Sequence, residues 1–320
     1  MKLRNPWLLI AAAMLILGAV LCGVSLSQNG NHLQPDVRSN NVTITEPFDA
    51  IFIESRTDDV ELRPSNDGTT QALFREVKGY RHEVAVENGT LTVRMLDERS
   101  WLEKLSFSFF SFGRRSPEIT VVMPASVHPS LTVDTSTGDV NLSADLTFDR
   151  IHIDGSTADV LGSASALNAV EIAVSTGDIL LDGITASEMT LSVSTGDISV
   201  SDATCRGPVS ADMSTGYLTL RNVSCQSLSS DGSTGDILLD NVVAAGPLTL
   251  NRSTGDVVFQ NCDAVSLDVS TSTGDITGTL RSPKQFTTST GTGDISVPQS
   301  TSGGLCNLST STGDITILIP

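Results

Sequence analysis

Leu191-Ser-Val-Ser-Thr-Gly-Asp-Ile-Ser-Val200 is the stretch from which the fold follows. Leu191 lies five residues ahead of Gly196, while Ile198 and Val200 lie two and four residues after it. Alternation of period two marks short strands with one face inward, and Gly among Ser, Thr and Asp oxygens is turn chemistry. The tetrapeptide recurs as Ser136-Thr-Gly-Asp139, Ser175-Thr-Gly-Asp178, Ser233-Thr-Gly-Asp236, Ser253-Thr-Gly-Asp256, Ser272-Thr-Gly-Asp275 and Ser311-Thr-Gly-Asp314. Degenerate copies stand at Ser156-Thr-Ala-Asp159, Ser214-Thr-Gly-Tyr217 and Gly291-Thr-Gly-Asp294. Its third position runs through Gly138, Ala158, Gly177, Gly196, Gly216, Gly235, Gly255, Gly274, Gly293 and Gly313, in steps of 19 or 20 residues. Two residues after each of these positions the chain is Val, Ile or Leu.

Ten copies at one period define a repeat architecture. A strand–turn–strand unit cannot bury its apolar face alone, so its neighbours must stack on it. The fold class expected is therefore all-β: a parallel β-solenoid of about ten coils of 19–20 residues over residues 131–320, with rungs about 4.8 Å apart. The leucine-rich repeat pattern is absent, and propeller blades need about 40 residues each. Asp202, Asn222, Asn241 and Asn261, each six residues past a turn glycine, mark a second corner suited to a polar ladder.

Composition agrees with thin layers. Only 14 of 320 residues are aromatic, so the core must be aliphatic. The net charge of −18 is concentrated in residues 131–320, which hold 6 Lys+Arg against 22 Asp+Glu. Such a surface repels nucleic acid and anionic lipid, and attracts cations or basic partners. The five cysteines make no CxxC or Cys/His pair, so zinc is not expected. Cys22 falls in the apolar N-terminal segment, and Cys205 and Cys225 occupy equivalent places in neighbouring repeats, where they are either bridged or small buried thiols.

Residues 1–27 are expected to be a cytoplasmic tip and a transmembrane anchor. The 21 residues from Trp7 to Ser27 carry no charge, and about 20 helical residues span a bilayer core. Lys2 and Arg4 should stay cytoplasmic, which puts the remainder outside the cell. Cleavage after Ser27 and lipidation at Cys22 are rival readings, but the run exceeds the about 7–15 residues of a signal core. Residues 28–41 read as a polar stalk.

Residues 42–130 read as a small β-rich cap. Asn88-Gly89, between Val84–Glu87 and Thr90–Arg94, is a hairpin signal because both turn positions need positive φ. Ile119-Thr-Val-Val-Met123 is a strand stopped by Pro124. Phe107, Phe109, Phe110 and Phe112, bounded by Lys104 and Arg114-Arg115, form a candidate membrane- or partner-touching loop. Alternatively, these rings cover the first coil.

The Ser-Thr-Gly-Asp-Ile/Val turns, the strand Glu118-Ile-Thr-Val-Val-Met-Pro124 and the hairpin Glu87-Asn-Gly-Thr-Leu-Thr-Val93 together resemble a bacterial adhesin-like family with β-strand repeats, a domain of unknown function. The resemblance covers about residues 42–320. It implies an exported or membrane-anchored protein, in some members linked with cell-envelope stress, and it supplies no catalytic residues to transfer.

The turn residues carry two readings. In one, glycine makes the corner and the polar oxygens accept backbone N–H bonds. In the other, the column Asp139, Asp159, Asp178, Asp197, Asp236, Asp256, Asp275, Asp294 and Asp314 binds divalent cations weakly. Carboxylates about 5 Å apart repel by about 1 kcal/mol in water, so something must offset them. No cofactor is expected and no enzyme: the histidines are scattered, the solenoid holds one lysine (Lys284), and uniform repeats leave no insertion to build a cleft. The functional expectation is a surface scaffold or adhesin-like module of the cell envelope. The alternatives are an acidic binding module for a wall polymer or cations and, behind these, a polysaccharide-active enzyme. Ile315-Thr-Ile-Leu-Ile-Pro320 reads as a bare end coil through which copies self-associate.

Overall fold

Inward aliphatic side chains dictate how the rungs lie. In the computed structural model, which describes residues 37–77, 79–99, 117–126 and 128–320, Val140, Val160, Ile179, Ile198, Leu218, Ile237, Val257 and Ile276 line one column and are each 0% exposed. Every such residue packs on its counterparts one rung away, and its burial contributes about 1.5–3 kcal/mol. The result is an all-β parallel solenoid of about nine regular turns, with no helix among the described residues. A turn consists of a long strand such as Glu188–Thr195, the glycine corner, a short strand such as Ile198–Ser201, the second corner at Asp202, and a two-residue strand, Thr204–Cys205.

Register is kept from rung to rung, with irregularities only at Ala244/Pro247 and Phe259/Cys262 among the described pairings. Ile198 pairs with Ile179 on one side and Leu218 on the other, and Thr195 with Thr176 and Thr215. A slip of one residue would turn every aliphatic side chain outward. The third side is narrower and is filled by Ala186, Cys205, Cys225, Ala244 and Ala264, all buried. Cys205, Cys225, Cys262 and Cys306 are free thiols. Burial raises all four, and carries Cys225 and Cys306 to about 12.

The two ends depart from the regular order. At the N-terminal end, Ala50–Ser55 pairs in parallel with both Thr90–Asp97 and Ser130–Thr135. Asp59–Pro64 likewise lies between Glu118–Met123 and the start of the repeats at Val140. Residues 50–64 are thus a solenoid rung embedded in the region read as a cap, and Thr90–Asp97 with Glu118–Met123 supplies the rung outside it. Antiparallel strands finish this end. Tyr80–Glu87 lies on Thr90–Asp97, and Thr70–Val77 on Glu118–Met123, with Val37–Ile44 outermost. That last strand starts inside the segment read as a stalk. The Asn88-Gly89 turn has φ of 52° and 79°, the left-handed pair a tight hairpin requires.

At the other end the chain crosses itself. Gly304–Thr312 and Ile315–Leu318 insert between the rung of residues 267–280 and the rung formed by Lys284–Thr292 and Ile295–Ser296. The reading of Ile315–Pro320 as a bare end coil is therefore corrected. Ile315 and Ile317 are 0% and 1% exposed, whereas Ile295 is 45% exposed. The repeat that comes next to last in sequence is the last in space; beside half-buried Phe286 its inward positions Thr288 and Thr290 are polar and only half covered. Lys284 braces the crossing. Its Nζ is 2.6 Å from Asp263 Oδ1 and 2.7 Å from Ser282 Oγ. Burial raises Asp263, but the hydrogen bonds from Lys284 and Ser282 outweigh it and hold the carboxyl below its ordinary value.

The expected transmembrane run Trp7–Ser27 and the cluster Phe107, Phe109, Phe110 and Phe112 lie outside the described residues. Among the described residues no helix is long and apolar enough to cross a membrane.

Candidate functional site

Glycine corners bring the rungs unusually close, and that proximity builds the carboxylate column. At Gly216, φ is +145°, and a Cβ there would lie 1.8 Å from the carbonyl oxygen of Gly196. With no side chain in the way, the backbone N–H after the corner meets the carboxylate one rung below wherever that rung carries one. Asp159, Asp178 and Asp197 donate their N–H groups to Oδ1 of Asp139, Asp159 and Asp178 at 3.0, 2.8 and 2.8 Å. Tyr217 donates to Asp197 at 2.8 Å but returns no acceptor. The column resumes from Asp236 through Asp256 to Asp275, at 2.9 and 2.8 Å. It then follows the crossed order: Asp314 donates to Asp275 and Asp294 to Asp314, both at 2.8 Å.

These bonds supply the offset that the spacing of like charges demands. Each is charge-assisted and contributes about 1.5–3 kcal/mol before repulsion is subtracted. Among the described residues no group of three or more His, Cys, Asp or Glu side chains converges on a point that would hold a metal ion. In this geometry each carboxylate of the column serves as an acceptor between rungs wherever the next rung donates to it.

One member escaped the sequence reading. Asp139 donates its N–H to Asp59 Oδ1 at 3.2 Å, so the column begins a rung earlier. A signal for it exists. Thr57-Asp-Asp-Val60 is a degenerate turn, with Ile53 five residues ahead of Asp58 and Val60 and Leu62 two and four after it. The second corner also carries a ladder. Asp202, Asn222, Asn241 and Asn261 all have φ between 52° and 58°. Their amides link Asn222 to Asp202 at 2.8 Å and Asn241 to Asn222 at 2.7 Å.

Two buried polar groups have no counterpart in the repeat pattern. Asp58 occupies the glycine position of its rung and points inward, where His82 Nε2 lies 3.3 Å from its Oδ1 and both side chains are 0% exposed. His82 also approaches Glu76 at 3.3 Å and stacks on Phe74 with ring centroids 4.5 Å apart. Only topology assembles this cluster, since residues 58, 76 and 82 lie on three different elements. Sealed from solvent, the pair meets no substrate; it fastens the antiparallel strands to the first rung. The other group is Arg252, which fills a hollow left by Ala211, Ser230 and Gly232. Its Nη2 donates to Ser230 Oγ at 3.0 Å and its Nη1 to the Asn251 carbonyl at 2.9 Å. Burial lowers its guanidinium, and Asp212 and Asp231 pull it back.

Fold and corners together define a repeat protein in which one stack of in-register rungs is both core and surface. The chain belongs to the Toastrack DUF4097 family, whose model matches residues 48–207 and 196–320. No curated protein matches it. Among solved structures it is similar to a candidate adhesin from Bacteroides fragilis NCTC 9343, with 15% identity, 88% of this chain and 97% of that chain covered, and a TM-score of 0.40. A candidate adhesin from Parabacteroides distasonis ATCC 8503 shows 10% identity over 89% and 98%, with a TM-score of 0.48. One from Parabacteroides merdae ATCC 43184 shows 11% over 76% and 95%, at 0.45. Similarity at this level carries no functional argument.

Proposed function

We propose that the protein is a non-catalytic, membrane-anchored surface module of the cell envelope, an adhesin-like rod held outside the cytoplasm by residues 1–27. One observation carries this reading: nine regular turns present an unbroken side whose corner carboxylates are engaged in holding rungs together rather than gathered around a cleft. Residues 131–320 carry a −16 balance, and two of their six cations, Arg252 and Lys284, are buried, which leaves a surface suited to a basic protein or a cationic group of a wall polymer. The strand Val37–Ile44, which leads back toward the anchor, is outermost at the N-terminal end. The rung flanking residues 100–116 is at that same end. A membrane contact for Phe107, Phe109, Phe110 and Phe112 is part of the same proposal. Service in envelope maintenance or stress follows from such a position.

The test uses the full chain in its native cells. Membranes are extracted with alkaline carbonate, and intact cells are treated with an external protease. Retention in the pellet together with cleavage of the solenoid from outside is expected. Release into the supernatant, or complete protection in intact cells, would sink the proposal. Crosslinking of intact cells then identifies what the acidic side holds.

A further inference from the structure

The rung at residues 284–296 is paired on one side only, by Gly304–Thr312 and Ile315–Leu318. Proteins ordinarily blunt such an edge with charge, proline or a bulge. At the opposite end the outermost strand of the same sheet, Tyr80–Glu87, carries Arg81, Glu83 and Glu87. Here the edge reads Gln285-Phe-Thr-Thr-Ser-Thr-Gly-Thr-Gly293, nine residues without a charge and rich in β-branched threonine, in a chain whose net charge is −18. Lys284, the cation on this strand, is buried and spent on Asp263, and Arg281 ahead of it is turned to the Asn261 carbonyl. Ile295 adds an aliphatic side chain, 45% exposed, where its counterparts Ile276 and Ile315 are 0% exposed.

We infer that this edge pairs with the same edge of a second copy, tip to tip, about a two-fold axis normal to the sheets. Electrostatics selects this contact. The long sides are acidic and repel one another, so two rods approach most easily at the tip, where Asp294 at the corner is the end rung's one exposed charge. Symmetry closes it as well. A two-fold axis along the sheet normal, passing at Thr288, returns the long-strand sheet onto itself with strand direction reversed, so residues 284–292 meet their own copy antiparallel, the stronger of the two ladders. The same rotation carries each carboxylate column to the opposite corner, which keeps the two Asp294 side chains apart. An isologous contact uses up both edges and stops at a dimer. Resting on the anchored orientation proposed above, the arrangement points the two anchors in opposite directions, so the pair bridges facing membranes.

Thr287 and Ser289 are exposed on this rung and fall opposite each other across the axis. The full chain is purified in detergent as wild type, as Thr287→Asp with Ser289→Asp, and as Thr287→Lys with Ser289→Lys, and its mass is followed by analytical ultracentrifugation. The wild type is expected to dimerise, and each doubly charged variant to self-associate at least about tenfold more weakly. An equimolar mixture of the two variants is expected to dimerise again. A wild type that stays monomeric at every concentration would overturn the inference, as would charged variants that dimerise like it. Vesicles carrying the chain provide the second arm. Clustering supports bridging of facing membranes, whereas a detergent dimer that fails to cluster vesicles keeps the tip contact and rejects the anchored orientation.

Discussion

Gly216→Ala isolates the contact that sets the rung spacing. A Cβ at this position would lie 1.8 Å from Gly196 O, against an ordinary C···O separation of about 3.3 Å. The rungs would have to part by about 1.5 Å at the corner, where Gly196 N–H···Thr215 O and Ile198 N–H···Tyr217 O each measure 3.0 Å. Strain at φ +145° costs about 1–3 kcal/mol in a residue with a side chain, and two weakened rung bonds cost about 1 kcal/mol each. The expected loss is therefore about 3–5 kcal/mol. Two controls separate the causes. Gly183 has φ +69° but open space where its Cβ would be, so Gly183→Ala should cost only about 1 kcal/mol. Ala158 occupies a corner where φ is not positive, and Ala158→Gly should cost about 0.5–1 kcal/mol. Urea unfolding followed by circular dichroism measures all three, and because rungs contact only their neighbours the transition of Gly216→Ala should also broaden or split. If Gly216→Ala is no more destabilising than Gly183→Ala, close rung approach is not what the corner glycines provide.

Further outcomes follow from the same geometry. Asp178→Asn keeps an acceptor for the Asp197 N–H and removes a repelling charge, so it should stabilise by a few tenths of a kcal/mol, whereas Asp178→Ala should cost about 1 kcal/mol; calcium that raises the wild-type melting temperature but not that of Asp178→Asn would instead make the column a cation site. Ile315→Lys should collapse the C-terminal rungs, seen as new proteolysis within residues 267–320, since it places an ammonium in a fully buried column. Ser230→Ala strands part of a buried guanidinium and should cost about 1–3 kcal/mol, while Arg252→Met should be neutral or stabilising, and a double-mutant cycle should show strong coupling between them. Cys225 and Cys306, raised to about 12 by burial, should resist alkylation in the folded protein at pH 8 and react in urea. Their contribution to stability is complete below the unfolded thiol value and is lost as pH rises through about 12, so an alkaline melting series should fall across that window.

What could be read from residues alone was everything local and periodic. Strand, corner and strand repeat every 19 or 20 residues, and a unit too thin to bury its own aliphatic face has one solution, which is to stack on its neighbour. The second corner was legible for the same reason, since Asn and Asp tolerate left-handed φ. What tertiary structure alone decided was the order in which rungs lie at the two ends. Residues 50–64 look like part of a cap until Asp59 is found beneath Asp139, and residues 304–318 look terminal until they are found inside residues 284–296. Local pattern cannot report this, because a parallel rung pairs equally well with any rung of matching register. The choice falls to burial summed over the whole stack, which draws Ile315 and Ile317 inward and leaves the threonine-rich rung at the surface. The Asp58–His82 pair and the Arg252 hollow were hidden for the same reason, being contacts between elements that only the assembled stack brings together.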